Sequence, residues 1–155
     1  RNLPLSEIDF KAIASVVNEI EPHQIFTAGD LQNPGSTRWM CFDGIMTALK
    51  SMSEEAWLKE CRIWLYRGGW EEQEVDEIDM AVPVSPGELS RKAEAIYQHQ
   101  SQKSSTPPSS QVAKEFWSRS VEQNRHVAKK YDDLGLAEYE GIECFRLWRN
   151  PIVSE

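Results

Sequence analysis

The sequence predicts an α/β fold: a three-layer arrangement with a partly parallel sheet and helices on both faces. Three observations carry this expectation. Four segments place apolar residues at helical spacing, and several short apolar runs bounded by Gly or Pro suit strands. The two kinds of segment alternate through the first half, which implies right-handed crossovers between parallel strands. One run, Ile63-Trp64-Leu65-Tyr66, is also too continuous for a strand with one wet face. The chain has 155 residues, 40% of them hydrophobic and 27% charged, which suits a single domain over 1–155.

The elements follow in order. Ser6 caps a first helix with Asp9 as its capping-box partner, and Ile13, Val16, Val17 and Ile20 form its apolar stripe. Pro22 ends it, because the residue before a proline is pushed out of helical geometry. "HQIFTAG" (23–29) reads as a short strand. Met40, Cys41, Ile45, Ala48, Leu49 and Met52 give a second helix, and "CRIWLYR" (61–67) the covered strand. "IDMAVPVS" (78–85) is a further strand, and Pro83 marks it as an edge or a strand end. "SPGE" (85–88) then opens a helix: Ser85 is the cap, Pro86 the first residue and Glu88 the capping-box acid. That helix carries Leu89, Ala93, Ile96 and Tyr97 and runs to about His99. The polar stretch 100–111 is a loop. A long helix follows over about 111–133, stopped by Gly135, and "IECFRLWRN" (142–150) is the last strand. Four strands for four helices, with a helix first, suit the later portion of a larger α/β domain.

The formal net charge of −8 argues against a nucleic-acid partner, since phosphate binding needs clustered Lys and Arg. No apolar run reaches the roughly 20 residues that span a bilayer, so no membrane partner is expected. "RNLPLSEIDF" has the form of neither a signal nor a transit peptide, and a cytoplasmic location is the expectation. Residues 71–79 hold six carboxylates in nine positions but lack the spacing and glycine of a calcium loop, so they read as a solvated edge. Cys41, Cys61 and Cys144 are far apart and sit in apolar contexts, as small core residues rather than a disulfide framework or zinc cluster.

A site is expected where ligands sit in open α/β sheets, beyond the carboxyl end of a strand and at the next helix N-terminus. "GDLQNPGSTRWMCFDG" (29–44) occupies that position, with Asp30, Asn33, Ser36, Thr37 and Arg38 as polar groups. Two readings stand. Ser36 or Thr37 caps the second helix and Arg38 lies on its surface, which spacing alone favours; or the group holds an anion such as a sugar phosphate. With no Lys and no Walker pattern, the loop is not a nucleotide P-loop. His99 ends a helix, where the dipole favours a histidine; its functional reading is a polar group at a pocket rim with Ser101 and Gln102. His23 and His126 have no ligand partner one turn away. No Ser-His-Asp or Cys-His arrangement marks a catalytic residue.

Residues 19–49, 64–86, "KAEAIYQHQSQK" (92–103) and "KKYDDLGLAEYEGIECF" (129–145) together resemble the LmbE/PIG-L-like metal-dependent N-acetylglucosaminyl deacetylases. Within that group they are similar to the version fused behind a glucosamine-6-phosphate isomerase/deaminase domain, and the resemblance covers nearly the whole chain. It implies a truncated Rossmann-type domain and a zinc-type ion holding a water, with a carboxylate as general base. The family's His-Pro-Asp-Asp segment, which supplies two ligands and the base, has no counterpart here. Its Asp-Pro-His-Gly-Thr-His-Arg loop corresponds to Asn33-Pro34-Gly35-Ser36-Thr37-Arg38-Trp39, where Gly35 and Arg38 stand in place of the histidines. Glycine has no ligand atom, and arginine is a permanent cation. The His-x-Ser-Gln element survives as His99, Ser101 and Gln102.

On this resemblance the chain, which starts at Arg1 without a methionine, is the C-terminal portion of a larger deacetylase-like domain. No cofactor and no deacetylase activity are expected of it alone. An amino sugar or sugar phosphate is the expected ligand, with Asp30, Ser36, Thr37, Arg38, His99 and Gln102 as its binding residues. An N-terminal isomerase/deaminase domain is the expected partner. A sheet cut short would also favour a homo-oligomer. The alternative is a non-catalytic module that binds a sugar phosphate or stabilises a partner domain.

Overall fold

The computed structural model describes residues 4–29, 34–67, 74–99, 116–136 and 138–149, apart from the side chains of residues 116 and 117. It is an α/β fold with a four-stranded mixed sheet flanked by helices, in the order β1-β2-β4-β3. The strands are β1 (Gln24–Ala28), β2 (Arg62–Tyr66), β3 (Met80–Val84) and β4 (Gly141–Leu147); the helices are α1 (Glu7–Ile20), α2 (Thr37–Lys50), α3 (Pro86–Tyr97) and α4 (Phe116–Asp133). β1 and β2 run parallel, while β4 is antiparallel to both β2 and β3, so the sheet is partly parallel as expected. β3, with Pro83, is an edge strand. The chain divides into two compact units, residues 1–67 with 146–155, and residues 68–145.

In the first unit the Ser6 amide and hydroxyl both donate to the Asp9 carboxylate at 2.8 and 2.7 Å, closing the start of α1. Its last turn ends at Glu21, whose φ of 46° is left-handed and whose N–H donates to the Val17 carbonyl at 2.9 Å. Gly44 lets α1 approach α2: a Cβ there would stand 2.6 Å from Leu5 Cδ1 and 3.4 Å from Ile13 Cδ1. Phe42, Leu49, Leu58, Ile63 and Leu65 form the core, with Val17, Ile25, Ile45 and Trp148 packed on it. Trp148 meets Phe42 edge to face, ring centres 5.1 Å apart. Indole N–H groups tie the periphery: Trp64 Nε1 donates to Gln24 Oε1 and Trp57 Nε1 to Asn18 Oδ1.

The second unit starts its helix α3 as the sequence predicts. The Ser85 amide and hydroxyl donate to Glu88 Oε2 at 2.8 and 2.6 Å, and Ser85 Oγ accepts the Glu88 N–H. α4 ends at Asp133, and Gly135 beyond it, with a φ of +76°, permits the Leu136 N–H to reach back to the Tyr131 carbonyl at 3.1 Å. Val127, Ala128 and Ile142 are the core here, joined by Ile78, Ala81, Tyr131 and Cys144.

Three expectations are corrected. The α1 stripe is not a core face throughout: Val16 and Ile20 are exposed, and α1 has no fully buried residue, because only the side with Val17 and Ile13 meets α2 and the core. Cys41 is exposed, and Phe42 takes the core position beside it; Cys61 and Cys144 are half-buried. α3 stops at Tyr97 rather than about His99: the Gln98 N–H is shared between the Glu94 and Ala95 carbonyls, and the His99 N–H makes a 3-10 bond to the Ile96 carbonyl. Two short 3-10 turns, Ala56–Lys59 and Val75–Glu77, were not read from the sequence. The second lies in the acidic stretch, where Glu74 pairs with Lys130 at 3.5 Å; residues 71–73 lie outside the described residues, as do 111–115 of the long helix. No helix among the described residues is long and apolar enough to cross a membrane.

Candidate functional site

The site begins where β1 ends. Because β1 and β2 are parallel and in register from Gln24↔Arg62 to Ala28↔Tyr66, their carboxyl ends lie side by side. The Gly29 N–H donates to the Tyr66 carbonyl at 2.8 Å and extends the pairing by one residue. Only glycine fits there, since a Cβ at position 29 would stand 2.7 Å from Leu65 Cβ. The chain therefore leaves the sheet at Gly29 and re-enters the described residues at Pro34.

Gly35 turns the chain into the helix with φ +93°, the left-handed region that glycine occupies at little cost. Ser36 is extended and is the cap of α2: its Oγ accepts the Trp39 N–H at 3.1 Å, and its carbonyl accepts the Met40 N–H at 2.9 Å. Of the two caps the sequence allowed, the structure thus selects Ser36. Thr37 and Arg38 follow as the first two helical residues, Thr37 exposed and Arg38 half-buried. The first turn of α2 contains no acidic residue. The positive end of the helix dipole therefore meets no carboxylate from that turn, and Arg38 adds a cation to the same turn. Such a terminus suits an anion.

It does not suit a metal ion. Gly35 offers no side chain, Ser36 Oγ is engaged by the helix, and Arg38 brings a permanent positive charge. Nor do three or more His, Cys, Asp or Glu side chains cluster elsewhere among the described residues.

Of the other residues named from the sequence, Asp30 and Gln102 lie outside the described residues, as do Asn33 and Ser101. His99 is described and exposed; it belongs to the second unit, just past the end of α3, where its N–H donates to the Ile96 carbonyl at 3.1 Å. Ser36, Thr37 and Arg38 are thus the members of the set that the structure brings together on one element.

Sequence reasoning missed a polar network in the second unit. Lys92 Nζ on α3 donates to Asn124 Oδ1 on α4 at 2.8 Å and also to Glu143 Oε1 on β4. Asn124 is 6% exposed, and its Nδ2 donates to the Ile142 carbonyl at 2.8 Å. Two helices and a strand are joined by one ammonium and one amide. Gly141 lets them close up, since a Cβ there would meet Leu89 Cδ1 at 3.1 Å and Asn124 Cβ at 3.3 Å. Partners 32 and 51 residues away leave no periodic signal in the sequence. Beside this network the Cys144 thiol is pushed up to about 11, chiefly by burial and then by the neighbouring Glu143 carboxylate, with Lys130 opposing. It is a half-buried thiol packed against the core of this unit.

Comparison with known proteins adds two likenesses. The chain is 48% identical over 144 residues to a glucosamine-6-phosphate deaminase-like protein of Bacteroides thetaiotaomicron, a match that covers 92% of this chain but spans only 22% of the relative's length. In three dimensions it is similar to the crystal structure of GalB, the 4-carboxy-2-hydroxymuconate hydratase of Pseudomonas putida KT2440. That superposition has a TM-score of 0.64 at 13% identity and covers 97% of this chain and 62% of the hydratase chain. At that identity the likeness shows the fold alone, an α/β domain consistent with the three-layer class. No family model matches the chain.

Proposed function

We propose that the chain is the C-terminal, LmbE/PIG-L-like part of a glucosamine-6-phosphate isomerase/deaminase-like protein of amino-sugar metabolism. It carries no deacetylase activity of its own, and the start of α2 binds the phosphate of an amino-sugar phosphate. The observation that carries the amino-sugar reading is the 48% identity to the deaminase-like relative over 92% of this chain. The match spans 22% of that relative; on this reading the chemistry of the whole protein lies in other segments, with an isomerase/deaminase domain as the partner and the cytoplasm as the location.

The geometry supports the ligand class. A phosphate at the α2 N-terminus would meet the positive end of the helix dipole and the Arg38 guanidinium, a group whose fork can grip two of its oxygens. A metal-bound hydroxide would find an arginine in place of a ligand. Ser36 and Thr37, at the same helix start, are the other proposed binding residues.

Titration calorimetry tests the reading with glucosamine 6-phosphate and free glucosamine as probes. The phosphate ester binds and the free sugar binds far more weakly. Arg38→Ala lowers affinity for the ester about 10- to 100-fold, the range for loss of a charge-assisted hydrogen bond worth roughly 1.5–3 kcal/mol. Equal affinity of Arg38→Ala and wild type sinks the anion site. Stoichiometric zinc in the purified chain sinks the loss of the metal centre.

A further inference from the structure

We draw no further inference here: the strongest candidate, the ridge of exposed apolar side chains Ile8 (80%), Val16 (55%) and Ile20 (65%) along the outer side of α1, carries nothing because no feature of the structure shows what covers it.

Discussion

Gly29 is where the candidate site is joined to the sheet, and Gly29→Ala tests whether that junction is built as described. The added methyl would stand 2.7 Å from Leu65 Cβ, against the roughly 3.5–4.0 Å at which carbon atoms rest in contact. Both atoms are fixed directly to backbone, so no rotamer change relieves the clash. The strands must part by about 1 Å, which would stretch the 2.8 Å bond from the Gly29 N–H to the Tyr66 carbonyl beyond hydrogen-bonding range. Overpacking of a closed core costs about 1–3 kcal/mol, and the lost bond about 0.5–1.5 kcal/mol. The sum is a destabilisation of about 1.5–4.5 kcal/mol.

Urea unfolding followed by tryptophan fluorescence reads this directly, with Trp64 on the neighbouring strand as a reporter. Gly87→Ala is the matched control: a Cβ at position 87 meets nothing within 4 Å, and the residue lies in the first turn of α3. There alanine should add about 0.4–1 kcal/mol by restricting the unfolded chain. If Gly29→Ala costs less than about 0.5 kcal/mol, or if the two alanines shift stability the same way, the close approach of β1 to Leu65 is wrong.

Other substitutions probe the second unit. Asn124→Ala leaves the buried Ile142 carbonyl without its amide donor, removes one partner of the half-buried Lys92 ammonium and should cost about 1–3 kcal/mol, whereas Arg125→Ala, which breaks the exposed pair with Glu140, should cost under about 1 kcal/mol; equal losses in thermal unfolding would deny the network its role. Glu88, hydrogen-bonded first by the Ser85 hydroxyl and then by the Ser85 N–H, has its carboxyl held below the ordinary value of 4.5. A depressed acid stabilises the fold above its unfolded value and loses that contribution as pH falls through its folded value. Glu88→Ala should therefore be less stable than wild type at pH 7, with the gap closing below about pH 4.5; a gap constant from pH 7 to pH 3 would refute the capping box. With a thiol-reactive disulfide at pH 8, Cys41 should label rapidly and Cys144 slowly, since Cys41 is exposed and Cys144 stays protonated up to about pH 11; mass spectrometry of early digests showing equal labelling would overturn that order.

Much of the fold could be read before the structure because its signals are local. The capping box of Ser85 and Glu88 acts within one turn, and Pro83 marks an edge whatever surrounds it. The start of α2 was legible for the same reason, although only the folded backbone selects Ser36 over Thr37 as the cap. Distant contacts were not legible. Cys41 and Phe42 are neighbours on a helix, and which of them faces inward depends on Trp148, more than a hundred residues later. The exposure of Val16 and Ile20 likewise cannot be told from an apolar stripe, because periodicity reports an apolar face but not whether anything lies against it. The network of Lys92, Asn124 and Glu143 joins three elements that share no local pattern.

The place of β4 in the sheet bears on how the chain reaches this state. It is the last described element in the sequence, yet it pairs with β2 through Arg146 and Leu147 and with β3 through Gly141–Phe145. Until it emerges from the ribosome, β2 has only β1 beside it and β3 has no partner strand among the described residues. Both would wait with open edges while more than fifty residues are synthesised after β3, a delay that long-range strand pairing makes hazardous. Chaperone demand during translation should therefore peak just before residues 141–147 appear, and a chain halted at residue 140 should aggregate rather than fold in part.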